Sequence, residues 1–168
     1  NIINIEKIIW KLKKIEIYTD NLKNEKILNF QNNKDQLFSI IKNFELYEKL
    51  NKSLILNNYF NKIKLKKNFL DLKHYNLIIN TDYSSILTKK YFNKKIIKKY
   101  NSYAFTTIIK HKNIPNNIAT QIFTKFGPLA FLPISKNETS IVYSISGSLI
   151  KNQDLINLIC KYNFKYKI

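Results

Sequence analysis

Apolar and polar residues alternate in short runs along most of the chain, with the period of a half-buried strand rather than of a helix. The runs predict strands at KIEIYT (14–19), KILNF (26–30), QLFSII (36–41), FNKIKL (60–65) and YNLIIN (75–80). The second half adds SYAFTTIIKH (102–111), ATQIFTKF (119–126), PLAFLPI (128–134) and TSIVYSIS (139–146). Helical spacing is confined to three places. Leu46, Leu50 and Leu54 recur every four residues after Asn43, a good capping residue, and predict a helix from Phe44 to Leu54. A second helix is expected over Ser84–Ile97. A third is expected over Asn152–Tyr162, where Leu155, Leu158 and Ile159 form an apolar stripe. Strands, helix, strands, helix and then four antiparallel-looking strands describe an α+β, or mixed α/β, fold rather than a repeated βαβ series. The Asn/Lys-rich linkers at 21–25 and 112–117 are too short to separate independent domains.

Composition narrows this picture. A chain of 168 residues with 45% hydrophobic content can close one core. It has no apolar run of membrane-spanning length and no secretion-signal pattern, which predicts a cytoplasmic-side protein. The first residue is Asn1, already inside patterned sequence, and the chain reads as a segment of something longer. Cys160 is the only cysteine, which excludes an internal disulfide framework and a multi-cysteine metal site. The net charge of +18 would ordinarily point to nucleic acid or an anionic membrane. All 29 basic residues are lysine, however, and Ile, Lys and Asn make up about half of the chain. That skew resembles the drift of an AT-rich genome, and selection for phosphate recognition would retain the bidentate fork of Arg. A basic nucleic-acid-binding module with interleaved aromatics is therefore the alternative reading, not the first.

Candidate chemistry is sparse. The chain has two glycines and three prolines, yet Gly127, Pro128 and Pro133 fall within seven positions. Gly-Pro between two strands reads as a hairpin turn in which Gly supplies an unusual φ. Pro133 removes a ladder donor near a strand end, which suits a sheet edge or a backbone facing a ligand. His74 and His111 have no acidic neighbours at metal-ligand spacing. Ser84 and Ser85 lie in no nucleophile elbow. Glu45 and Glu48 read as solvated ion-pair partners of Lys42 and Lys49, and Phe123, Phe126 and Phe131 as core or pocket lining.

The run AxQIFxxxGPLAFLPI (119–134) followed by SIVYS (140–144) resembles the substrate-domain strands of the ubiquinone-biosynthesis hydroxylases. These are FAD-dependent aromatic monooxygenases of the para-hydroxybenzoate hydroxylase type. Tyr143 stands where that family usually has Trp. LIINTDYSS (77–85) sits where the family carries Gly-Ala-Asp-Gly-x-x-Ser: Asp82 and Ser85 match, while Asn80 and Tyr83 replace both glycines. FSIIKNFELYEKL (38–50) is similar to the family's segment bordering the flavin, with Lys42 at a position where basic residues are common.

The resemblance implies a partial unit over 1–168. In it, 1–36 and 98–150 would form the substrate-domain sheet, 37–97 part of the FAD-binding domain, and 151–168 a C-terminal helix. It implies FAD as cofactor and NAD(P)H as reductant, with hydroxylation of the aromatic ring of a polyprenylated ubiquinone precursor. Asp82 and Lys42 would border the cofactor, and Gly127, Pro128, Leu129, Phe131 and Pro133 would line the substrate pocket. The implied partners are the polyprenylated substrate, a peripheral contact with the inner membrane, and a separate flavin-binding portion. The family binds the ADP part of FAD through Gly-x-Gly-x-x-Gly, which a chain with glycine only at 127 and 147 lacks. The segment alone is thus expected to be inactive and colourless. A split or degraded flavoprotein gene is a further reading, because both glycines of the Asp82 turn are replaced.

Overall fold

A computed structural model describes residues 4–20, 25–32, 36–63, 74–92, 94, 96–147 and 150–168. The alternating runs of the first and last thirds form one six-stranded sheet. Its strands are β2 (Lys14–Thr19), β3 (Lys26–Gln31), β5 (Ser102–Lys110), β6 (Ile118–Thr124), β7 (Gly127–Pro133) and β8 (Glu138–Ser146), in the order β3-β2-β6-β7-β8-β5. Only the β2–β6 pair is parallel; all other neighbours in this sheet are antiparallel. A separate antiparallel ribbon joins β1 (Ile9–Leu12) to β4 (Phe38–Ile41). The class is mixed α+β with an antiparallel-rich sheet, as the pattern of runs predicted.

Period-two alternation decides which side of the sheet is buried. Ile122 of β6, Leu129 and Phe131 of β7, and Ile141, Tyr143 and Ile145 of β8 face one side and are 0–2% exposed. Over them lies α3 (Asn152–Tyr162), which contributes Ile159 and Tyr162, followed by Tyr166 of the tail. Burying each of these large side chains stabilises the fold by about 1.5–3 kcal/mol. The apolar stripe of α3 has a sheet to cover, which is why its expected limits match the observed helix.

Two expected strands are not found among the described residues. Residues 75–80 and the described part of 60–65 carry no strand, and residues 64–65 lie outside the described set. Leu77 and Ile79 are 76% and 80% exposed, so the β-branched pattern there has no surface to pack on, and pattern without burial does not hold a strand. The expected helix over 84–97 shortens to α2 (Ile86–Tyr91), capped by the Ser85 hydroxyl, which accepts from the Thr88 amide at 3.2 Å. Beyond Phe92 the sequence is Lys-rich, and its apolar pair Ile96 and Ile97 is left exposed, so no packed stripe extends the helix. The helix expected after Asn43 is α1 (Asn43–Ile55), but its N-cap is Lys42, which makes no side-chain cap bond. β1 was not foreseen, since four residues of IWKL among lysines give too short a pattern.

The chain forms two units, one of residues 1–57 with 101–168 and one of residues 58–100. β4 and α1 belong to the first, and α2 to the second. No helix among the described residues is long and apolar enough to cross a membrane.

Candidate functional site

The second side of the six-stranded sheet is set by the same alternation. Ladder register aligns Thr106, Val142, Ala130, Gln121, Ile17 and Leu28 in one row across β5, β8, β7, β6, β2 and β3. On one flank lie Ala104, Ser144, Phe123 and Thr19, with Pro128 opposite Phe123; on the other lie Ile108, Ser140, Leu132, the buried Ala119, Ile15 and Phe30. None of these side chains is charged, in a chain carrying 29 lysines. Leu28, Phe30, Phe123 and Ile108 are 45–55% exposed, and no residue of the two central rows is buried. Together they make an open, apolar and hydroxyl-bearing face, of the kind that marks an interaction or ligand surface.

The β6–β7 hairpin fixes the middle of this face. Its two-residue turn is Lys125–Phe126, and Thr124 pairs with Gly127, so Gly-Pro opens β7 instead of forming the turn. Gly127 has φ +137°, and a Cβ there would collide with the Ser144 carbonyl oxygen of β8. Both its freedom and its small size are thus consumed by the hairpin. The Thr124 hydroxyl donates to the Gly127 carbonyl (2.8 Å) and accepts from the Phe126 amide (3.2 Å). It also accepts from the Tyr143 hydroxyl (2.8 Å), because its single proton is already committed. Burial raises the Tyr143 phenol, against the lowering effect of the Thr124 bond. Tyr143 is therefore a satisfied interior residue.

The expected pocket residues divide between the two sides. Pro128 lies on the open face. Leu129, Phe131 and Pro133 point the other way, into the core beneath α3 and the C-terminal tail. The space beside Phe131, Tyr162 and Tyr166 is only about 10 Å³, too little for a ligand. Pro133 is the strand's last residue and lies beyond the last β6–β7 pair, Thr120 with Phe131, so its missing donor falls where that ladder has ended.

Lys42 is brought to the end of the open face, where its Nζ lies 3.1 Å from Glu138 of β8. Beside this pair a cleft of about 210 Å³ is lined by Trp10, Ile40, Lys42 and Ile134 among others. Asp82 belongs to the second unit. Its carboxylate accepts from the Ser84 hydroxyl (2.6 Å) and amide (2.8 Å), which hold it below the ordinary carboxylate range. Asn80, standing where the resembled family has glycine, ties this turn to α2 by donating to Thr88 Oγ1 at 2.6 Å. The turn is closed by its own side chains.

Sequence reasoning missed a buried polar knot below the ribbon. Asn116, 1% exposed, donates to the Ser135 carbonyl (2.9 Å) and Thr139 Oγ1 (3.0 Å) and accepts from the Tyr166 hydroxyl (3.1 Å). His111 Nδ1 faces the Lys112 carbonyl at 2.8 Å and so carries the proton, leaving Nε2 to accept from Thr139 at 3.0 Å. The Trp10 indole donates to the Asn116 carbonyl at 2.6 Å. A cleft of about 470 Å³ opens beside it, lined by Trp10, Lys11, Lys13 and Lys136. An asparagine in a linker gives no sequence signal that it is buried. At the other end of the sheet, Asp20 Oδ2 accepts from Tyr162 (2.9 Å) and the Lys125 amide (3.0 Å). Burial and that carboxylate push Tyr162 up to about 12. No group of three or more potential metal ligands occurs among the described residues.

No protein-family model matches the chain, and no curated protein matches it significantly.

Proposed function

We propose that this chain is the substrate-side portion of an FAD-dependent aromatic monooxygenase of the para-hydroxybenzoate hydroxylase type, acting on a polyprenylated phenolic precursor of a quinone. The observation that carries the reading is the open face of β6, β7 and β8. On the strands bearing the hydroxylase-like run, the open side is mainly apolar and hydroxyl-bearing, with one charge, Glu138 at its end, in a strongly basic chain. Such a wall suits a planar aromatic ring and an isoprenoid tail, with Gln121, Ser140 and Ser144 as polar groups to orient a phenol. The part of FAD that the residues do not fit is its pyrophosphate. Gly127 is spent on the hairpin, and Asn80 and Tyr83 occupy the Asp82 turn. The nucleotide would therefore be held by a separate portion. This chain's own contribution is to present the aromatic ring and exclude water from it. When bound, the flavin supplies the oxygen-activating chemistry. A basic exterior of net charge +18 favours docking on anionic lipid, where a prenylated substrate resides.

Equilibrium binding of a short-chain prenylated phenol tests this reading. The chain should bind it saturably, and Val142→Lys should weaken binding by about tenfold or more, since a buried ammonium without a partner is costly. Equal affinity in the two proteins would refute the assignment of this face.

The cleft beside Trp10 supports a second reading, because Lys11, Lys13 and Lys136 around an indole could hold single-stranded nucleic acid. That reading requires affinity that falls steeply with salt and with Trp10→Ala, and is insensitive to Val142→Lys.

A further inference from the structure

β5 is the last strand of the six-stranded sheet, and its outer edge is unpaired among the described residues. It spans nine residues, Ser102–Lys110, in unbroken register with β8. Edge strands in soluble proteins are normally blunted by a proline, a bulge, an early charge or a short length. β5 has none of these: its first eight residues are SYAFTTII, and its only charge is the terminal Lys110. The opposite edge differs, since β3 is shorter, starts with Lys26 and meets β2 through a register shift at Ile17/Tyr18.

The flanking bonds fix which backbone groups point outward. The Gly147 amide donates to the Asn101 carbonyl and the His111 amide to the Asn137 carbonyl, both at 3.0 Å. Antiparallel ladders alternate, so the odd-numbered residues of β5 exchange their bonds with β8. The amides and carbonyls of Ser102, Ala104, Thr106, Ile108 and Lys110 therefore face outward. All five residues are exposed.

We propose that β5 is a homodimerisation edge, pairing antiparallel with β5 of a second copy about a two-fold axis through Thr106. The strand is self-complementary in that register. Outward-facing residues meet outward-facing residues, 102 with 110, 104 with 108 and 106 with 106, forming up to about ten backbone hydrogen bonds. Side chains keep their sides of the sheet, Tyr103 lies opposite Ile109, an aromatic and β-branched pair, and Lys110 meets Ser102 rather than a like charge. The two sheets become one, and their apolar open faces become continuous. Each copy carries +18, so the charges oppose association and salt relieves the repulsion.

Sedimentation equilibrium of the full chain at 50 and 500 mM NaCl tests the pairing. The expected result is a monomer–dimer equilibrium strengthened about tenfold by the added salt. Thr106→Pro removes one outward amide that β8 does not use, and should weaken dimerisation by about tenfold with an unchanged circular dichroism spectrum. If that variant misfolds, Thr106→Lys sets two ammonium groups opposite each other and should act alike. In a Cys160→Ser background, Thr106→Cys should form a disulfide-linked dimer on mild oxidation, and Leu28→Cys on β3 should not. A chain monomeric at both salts, a dimer indifferent to folded Thr106 variants, or crosslinking through Leu28→Cys instead would overturn the proposal. So would a monomer that captures only foreign extended peptides.

Discussion

At the scale of the residue, Gly127 is the most constrained position described. Its φ of +137° and the Ser144 carbonyl behind it leave no space for a side chain. Gly127→Ala should destabilise the fold by about 2 kcal/mol or more in urea unfolding, because strain and collision act together. A cost below about 0.5 kcal/mol would show that the hairpin relaxes freely. The sequence did single out Gly127, and for the right cause in part: an unusual φ was legible, whereas the close approach of β8 depends on a strand remote in the chain. Leu129, Phe131 and Pro133 show the opposite limit. Their motif was legible, but which side of β7 they occupy is decided by register with β6 and β8, and register is a property of pairs of strands.

At the scale of the element, β3 illustrates how a fully exposed strand is held. Beyond its ladder to β2, the link is Glu16, whose Oε1 lies 2.7 Å from both Lys14 and Lys26 while Oε2 accepts from Tyr18 at 3.0 Å. Burial alone would raise this carboxyl, but the three hydrogen bonds outweigh it and lower it to about 2. A carboxyl depressed from its ordinary value near 4.5 stabilises the fold above that pH and loses its contribution as the pH falls toward 2. Wild type should therefore lose about 2 kcal/mol more than Glu16→Gln between pH 5 and pH 2. Parallel stability curves for the two proteins would show that the cluster is solvated. Elements with a packing partner were the readable ones. α3 matches its expected limits because its stripe meets the sheet, whereas in residues 75–80 Leu77 and Ile79 are left exposed and no ladder forms.

At the scale of the whole molecule, alternation settles the class and distributes the lysines. The core side is closed by α3 and the tail, and on the other side the three rows from Ala104 to Phe30 carry no charge, with Lys110, Glu138 and Lys42 gathered at one end. Neither the open face nor the gathering of its charges at one end could be read from composition, since both appear only once six strands are laid in order. The polar knot around Asn116 was equally hidden, because its partners come from residues 111, 135, 139 and 166. Mapping methyl chemical shifts during titration with a short-chain prenylated phenol examines the central claim most directly. Saturable shifts are expected at Val142, Ala130 and Leu132, with the core methyls of Leu129 and Ile141 nearly still. Shifts confined to the Trp10 cleft, or none at saturating ligand, would contradict it.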